Sequence, residues 1–192
     1  MPNYAVFLDR DGTINIDTGY MGNPDEIELI PGSGEALSEL KNDRNFKLIV
    51  ISNQSGISRG ILTHEMVDSV NAKINELLEK YNVAIDAFYY CPAHPDFSNK
   101  EECWCRKPSP ELVFKAAKDF QIDLSGSYFV GDKDSDIECG INAGLKTILV
   151  KTGYGEESFS LLKKQNKFPT FVAHNLKEVC KIIKEDISGE DN

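Results

Sequence analysis

The sequence predicts an α/β fold built on a doubly wound parallel sheet, and three observations carry that prediction. Short apolar runs rich in β-branched residues alternate with segments of helical period from Tyr4 to Glu185. Three of those runs stop abruptly at acidic or small polar residues, at Asp9 and Asp11, at Ser52 and Asn53, and at Asp132. The carboxyl ends of strands border the ligand crevice in open α/β sheets, so these endings mark a site as well as a fold. No repeat, low-complexity stretch or linker divides the 192 residues, which predicts one domain over 1–185 and an acidic, frayed tail over 186–192.

Composition excludes several function classes. A net charge of −10 argues against a general nucleic-acid binder, because counterion release needs a dense basic surface. No run of about eighteen apolar residues is present, and the N-terminus lacks the basic-then-apolar pattern of a secretory signal. A soluble, cytoplasmic chain with no membrane partner is therefore expected. With no heptad repeat and no sticky edge in the pattern, it is expected to be a monomer.

Taken in order, Tyr4 to Leu8 reads as the first buried strand, and Ile14 to Ile30, with Gly19, Gly22, Asn23 and Pro24, as a long loop over its end. Ser33 to Lys41 places Ala36, Leu37 and Leu40 on one helical face. Phe46 to Ile51 is the second strand. Thr63 caps a helix running to about Tyr81, with Val67, Val70, Ile74, Leu77 and Leu78 inward. Phe88 to Tyr90 forms a third strand and leads into a cysteine-bearing loop. A helix opens at Ser109-Pro110, with proline at its first position. Ser127 to Val130 is the fourth strand, a helix from about Ser135 stops at Gly144, and Lys146 to Val150 is the fifth strand. Lys151 to Pro169 reads as loop with one helix, and Leu176 to Glu185 as the last helix.

The stretch Asp9-Arg10-Asp11-Gly12 carries the chemistry. Two carboxylates one residue apart at a strand end offer oxygen ligands to a hard cation beside a phosphoryl group. A calcium loop needs glycine at its sixth position, whereas Gly12 is fourth from Asp9. From this stretch alone, an Asp-Gly turn with solvated acids is the competing reading. Convergence of Asp9, Asp11, Ser52, Asn53 and Asp132 at one sheet edge favours a magnesium-dependent phosphoryl-transfer site.

The motifs as a set resemble those of the haloacid dehalogenase-like (HAD) hydrolases. They are Asp9-Arg10-Asp11-Gly12-Thr13, Ser52 at the end of the second strand, Arg106-Lys107-Pro108 ahead of a helix, and Gly131-Asp132 through Asp136 after the fourth. Adding Asp17-Thr18-Gly19-Tyr20, Ser52 to Gly60 and Cys103-Trp104-Cys105, the chain over residues 4 to 155 is similar to the D-glycero-manno-heptose-1,7-bisphosphate 7-phosphatases, which are related to histidinol-phosphate phosphatases.

The resemblance implies a Rossmann-like sheet with a minimal cap made of short loops. It implies catalytic Asp9, Asp11, Ser52 and Lys107, with Mg²⁺ held by Asp9, the Asp11 backbone carbonyl and Asp132. It also implies substrate contacts from Asp17, Thr18, Gly19, Tyr20, Asn53, Gln54, Ser55, Arg106 and Lys133. Chemically, Asp9 suits the nucleophile and Asp11 the proton donor and acceptor. Ser52 would bond the phosphoryl oxygens and Lys107 would add fixed positive charge. Asp136 is expected to orient Lys107 or a metal-bound water, and Asp134 to cap the following helix. Arg10, Arg59, Arg106, Lys107 and Lys133 could form the local cationic patch that a phosphosugar needs.

Cys91, Cys103 and Cys105 lie within fifteen residues and predict a structural Zn²⁺ site with His94. The family pattern is Cys-x-His before Cys-x-Cys; Ala93 stands at the histidine position here, and His94 comes one later. An incomplete site and a loop packed by reduced thiols are the alternatives. Cys139 and Cys180 read as core. Histidinol phosphate is the alternative substrate. An inactive phosphosugar-binding protein is the alternative of another class, but it predicts loss of residues that are all present.

Overall fold

The computed structural model describes residues 3–44 and 46–190. Six parallel strands form one sheet: β1 (Ala5–Leu8), β2 (Lys47–Asn53), β3 (Ala87–Cys91), β4 (Tyr128–Gly131), β5 (Lys146–Val150) and β6 (Phe171–Ala173), in the order β3-β2-β1-β4-β5-β6. Every connection between neighbours is a parallel crossover, so a helix has to cover each face. The helices are α1 (Ser33–Arg44), α2 (His64–Glu79), α3 (Glu111–Phe120), α4 (Asp134–Asn142), α5 (Gly155–Lys164) and α6 (Leu176–Glu190).

Alternation along the strands divides the core in two. On one face Val6, Leu8, Leu48, Val50, Tyr128 and Val130 pack with Leu37 of α1, Ile74 of α2 and Val179 of α6. On the other Ala5, Phe7, Ile49, Ile51 and Phe129 meet Leu112 and Val113 of α3 and Cys139 of α4. Register locks the strand ends together: Leu8 pairs with Val50 on one side and Val130 on the other. The residues that follow, Asp9 and Asp132 together with Ser52 and Asn53 at the end of β2, must therefore emerge side by side. β1 and β4 flank the point where strand order reverses, the usual crevice of a doubly wound sheet.

The fold differs from expectation at its C-terminal end. β6 is absent from the sequence reading, because Phe171-Val172-Ala173 is short and follows a polar loop. α6 runs to Glu190, into the segment expected to fray; Tyr128 Oη and Lys146 Nζ bond Asp186 at 2.5 and 2.6 Å and hold that turn against the sheet. Asp191 and Asn192 lie outside the described residues. No described helix is long and apolar enough to cross a membrane.

Candidate active site

Asp9, the first residue beyond β1, is 4 % exposed, and Asp132 and Asp136, beyond β4, are fully buried. Oxygens of these three carboxylates lie within 4.8 Å of one another, and among the described residues this is the set able to hold a metal ion. Burial, then the nearby charges of Asp9 and Asp136, push the Asp132 carboxyl well above its ordinary range, and burial with Asp9 does the same for Asp136. Like charges crowded in a low dielectric call for a divalent cation, so the donor set fits Mg²⁺. Gly12, at φ +89°, backs this cradle, because a Cβ there would collide with the Asp132 carboxylate.

Lys107 reaches the cluster from the loop before α3. Its ammonium donates to Asp9 Oδ1 and to the Ile51 carbonyl, each at 2.7 Å, and pairs with Asp136 Oδ1 at 2.6 Å. Burial alone would lower its pKa, but Asp136 and Asp9 outweigh that and hold the ammonium charged. Asn53 fixes the segment: its side chain accepts from Lys107 N at 3.0 Å and donates to the Lys107 carbonyl at 3.2 Å. Asn53, expected to touch substrate, thus spends both ends of its amide on Lys107.

Gln54 is likewise turned inward, donating to Asp11 Oδ2 at 3.0 Å and Ser52 Oγ at 3.2 Å. Asp11 stands apart from the metal cluster, its carboxylate held by Arg10 at 2.9 and 3.0 Å and by Asn15 at 3.0 Å. Burial raises its pKa, but Arg10, Asn15 and Gln54 together leave it below the ordinary value.

The remaining expected contacts surround this centre. Lys133 Nζ lies 3.2 Å from Asp17 Oδ2 and 4.0 Å from Asp9 Oδ2. Asp9 heads the causes that hold the Lys133 ammonium charged against its burial. Asp17 Oδ1 accepts from Gly19 N at 2.8 Å, while Thr18, Gly19 and Tyr20 are exposed at the rim. Ser55 is half-buried, its carbonyl accepting from Ser58 Oγ at 3.2 Å. Arg106 is half-buried, donating to the Ala93 carbonyl at 3.0 Å, with Arg59 close enough to lower its pKa further after burial.

Two parts of the site escape the sequence reading. The loop after β5 closes it: Thr152 Oγ1 donates to the Gly12 carbonyl at 2.6 Å and Tyr154 N to Asp132 Oδ2 at 2.9 Å. Its position at another strand end is the signal that could have found it. The cap contact of α4 is made by Asp136, which accepts from Lys133 N at 2.9 Å, and not by Asp134. The expected pairing of Asp136 with Lys107 is present.

The predicted zinc ligands are not brought together. Cys91 and Cys105 form a disulfide, Cys103 is a free thiol, and His94 faces Arg59 with Nε2 at 2.8 Å and the Asp96 amide with Nδ1 at 3.2 Å. With two of the three sulfurs joined to each other and His94 outside the sulfur cluster, these groups make no four-ligand tetrahedron among the described residues. Ala93 is buried at the family's histidine position, and His94, one residue later, faces Arg59 and the Asp96 amide. Beside this loop lies a cleft of about 540 Å³ lined in part by Tyr90, Phe97, Trp104 and Leu112.

Comparison with known proteins agrees with this geometry. Residues 104–179 match the HAD-hydrolase-like family. A D-glycero-D-manno-heptose-1,7-bisphosphate 7-phosphatase of Chlorobaculum tepidum is 46% identical over 181 residues, covering 90% of this chain and 89% of the relative. The Escherichia coli D-glycero-beta-D-manno-heptose-1,7-bisphosphate 7-phosphatase is 42% identical over 153 residues, covering 78% and 80%. Among solved structures, a D,D-heptose 1,7-bisphosphate phosphatase from B. bronchiseptica, complexed with magnesium and phosphate, superposes with a TM-score of 0.84 at 30% identity over 95% of this chain and 99% of that one. With most of its length shared at this identity, and with the strand-end carboxylates and lysine in place, the chain belongs to the HAD-like family of D-glycero-D-manno-heptose-1,7-bisphosphate 7-phosphatases.

Proposed function

We propose that this chain hydrolyses the 7-phosphate of D-glycero-D-manno-heptose 1,7-bisphosphate with Mg²⁺, through a phosphorylated Asp9. The observation that carries the reading is the buried Asp9, Lys107, Asp136 and Asp132 cluster at the strand-order reversal, with a second, separately held acid at Asp11. Asp9, the Asp11 backbone carbonyl and Asp132 would hold the ion, with Asp136 beside them orienting Lys107; when bound, the ion neutralises charge between an anionic nucleophile and an anionic phosphoryl group.

The side chains divide the work. Lys107 fixes Asp9 Oδ1 at 2.7 Å, leaving Oδ2 to attack phosphorus. As the new phosphorus–oxygen bond forms and the ester bond breaks, Asp11 gives its proton to the departing oxygen. Water then attacks the phosphorylated Asp9, Asp11 takes its proton, and phosphate leaves. Ser52 and Lys107 stabilise the phosphoryl oxygens. Arg106, Lys133 and the rim from Asp17 to Tyr20 recognise the sugar and its second phosphate, a role supported by two cations and exposed hydroxyl groups around a short-looped, open site.

The test is phosphate release from heptose 1,7-bisphosphate and from histidinol phosphate, side by side with Mg²⁺, for wild type and Asp9→Asn. Preference for the heptose and a loss on the order of 10³-fold or more in the variant are expected, since a missing nucleophile leaves only binding and electrostatics. Near-normal turnover by Asp9→Asn would remove the covalent route, and preference for histidinol phosphate would reassign the substrate.

A further inference from the structure

Tyr154 departs from what its place in the chain favours. It is the residue before α5, the N-cap position, where serine, threonine, aspartate or asparagine ordinarily satisfies a free amide of the first turn, and its side chain makes no such bond. The helix start gains nothing from this side chain. Nor does the core, since the residue is 53 % exposed. A residue that serves neither its own helix nor the core is expected at a functional position.

The backbone that carries the ring is pinned to the catalytic cluster. Tyr154 N donates to Asp132 Oδ2 at 2.9 Å, and Thr152 Oγ1 donates to the Gly12 carbonyl at 2.6 Å. Between them Gly153 has φ +54°, and a Cβ there would collide with the Asp132 carboxylate and the Gly12 backbone. Gly155 passes as tightly against the Val150 carbonyl. The ring therefore leaves from a segment with no room to shift.

At the rim the Lys133 ammonium lies 5.3 Å from the ring centroid, within cation–π reach. It also lies 3.2 Å from Asp17 Oδ2 and 4.0 Å from Asp9 Oδ2. One flexible side chain is thus held from three sides: by Asp17 in the loop after β1, by Asp9 at the strand end and by Tyr154 in the loop after β5. A half-exposed aromatic face beside a held ammonium suits a phosphorylated sugar. The ring covers a C–H face, and the ammonium meets an oxygen.

We propose that Tyr154 is a specificity-determining residue, its ring being the wall against which the sugar of the substrate packs, with Lys133 beside it on the sugar's oxygens. The inference rests on the phosphatase reading above. The contact is made through the ring face, so the hydroxyl has no part in it. Sugar lies against the ring in the ground state and the transition state alike, and the contact therefore appears in KM and not in kcat.

The experiment is steady-state phosphate release from heptose 1,7-bisphosphate with Mg²⁺, the inhibition constant of inorganic phosphate, and thermal melts, for wild type, Tyr154→Ser and Tyr154→Phe. Tyr154→Ser removes the ring and supplies a hydroxyl that an N-cap favours, so it should melt at or above the wild-type temperature. Its KM should rise about tenfold with kcat within about threefold, and its phosphate inhibition constant should stay within about twofold, because phosphate alone does not reach the ring. Tyr154→Phe keeps the ring face and should stay within about twofold of wild type in every constant. A purely structural role predicts instead a lower melting temperature and a fall in kcat for Tyr154→Ser, and that result overturns the proposal. An unchanged KM overturns it too, as does a rise shared with the phosphate constant, which would place the effect at the phosphoryl site. Equal KM rises in Tyr154→Phe and Tyr154→Ser would assign the effect to the hydroxyl, with the same consequence. If Tyr154→Ser does not fold, Tyr154→Leu is read by the same KM and phosphate criteria. A wild type that releases no phosphate from the heptose ester overturns the phosphatase reading and this inference with it, whereas an active wild type beside an unchanged Tyr154→Ser overturns this inference alone.

Discussion

The strand-end site and the cysteine loop are neighbours joined through Arg106 and Lys107, yet they are held in opposite ways. Asp9 and Asp132 sit at the ends of strands that register sets side by side, and Lys107, reaching in from the loop before α3, ties Asp9 and Asp136 at 2.7 and 2.6 Å. The loop from Pro92 to Cys105 belongs to no sheet; it is held by a disulfide, by Arg106 on the Ala93 carbonyl, by the reciprocal Asn99–Glu102 bonds and by the contact of His94 with Arg59. Topology therefore fixes chemistry in the first region, and one displaced residue changes it in the second.

The sharpest way to break this contrast is to remove the ammonium at its centre. Lys107→Met should lower kcat by about 10²-fold or more and destabilise the fold by about 3–5 kcal/mol, because Asp9 and Asp136 are left as uncompensated buried charges. Steady-state kinetics and urea unfolding measure both, and turnover within threefold of wild type would show that the cluster is not organised by charge. A change confined to the second region comes next. Denatured without reductant, the chain should present three titratable thiols, Cys103, Cys139 and Cys180, with all five reactive after reduction. Five reactive thiols before reduction, together with one bound zinc per chain, would restore the four-ligand site that sequence predicts.

The smallest expected effect lies at the foot of the sheet, far from both regions. Asp86 accepts from Lys41 Nζ, from Leu48 N at 2.8 Å and from Lys47 Nζ at 3.3 Å. Burial pushes its pKa up, and Lys41, Leu48 and Lys47 pull it down further, for a net lowering. Its stabilisation is therefore present above the ordinary carboxylate pKa and is lost as pH falls through the lowered value. Asp86→Asn should cost about 1 kcal/mol or less at neutral pH, since the pair is partly exposed and screened, and nothing in strong acid. Urea midpoints at the two ends of that range check the sign; a penalty that grows in acid contradicts it.

Much of this was legible before any coordinates. The period-two strands and their polar endings gave the sheet, because a buried parallel strand must be apolar and its end must face the crevice. Of the two tasks that sequence leaves open for Asp136, orienting Lys107 or a metal-bound water, the pairing with Lys107 is present. At Asn53 and Gln54 sequence does not say which way an amide turns at a strand end. Both point inward, to the Lys107 backbone and to Asp11. The Thr152 to Tyr154 closure is not legible in sequence because one partner is distant: Gly12 lies 140 residues from Thr152, and Asp132 lies 22 from Tyr154.

The sequence by itself determined the two acids, the lysine, the aspartates after β4 and the order of elements that carries them to one edge. Those follow from local pattern and from the right-handed crossover rule, which involve neighbours in the chain. Only the tertiary structure decided which donors each acid keeps, Arg10, Asn15 and Gln54 for Asp11 and Lys107 for Asp9, and that Cys91 meets a second cysteine instead of a histidine. Those choices depend on a few ångströms between segments distant in sequence, and hydrogen bonds and thiols respond to distance, which a pattern of residues does not carry.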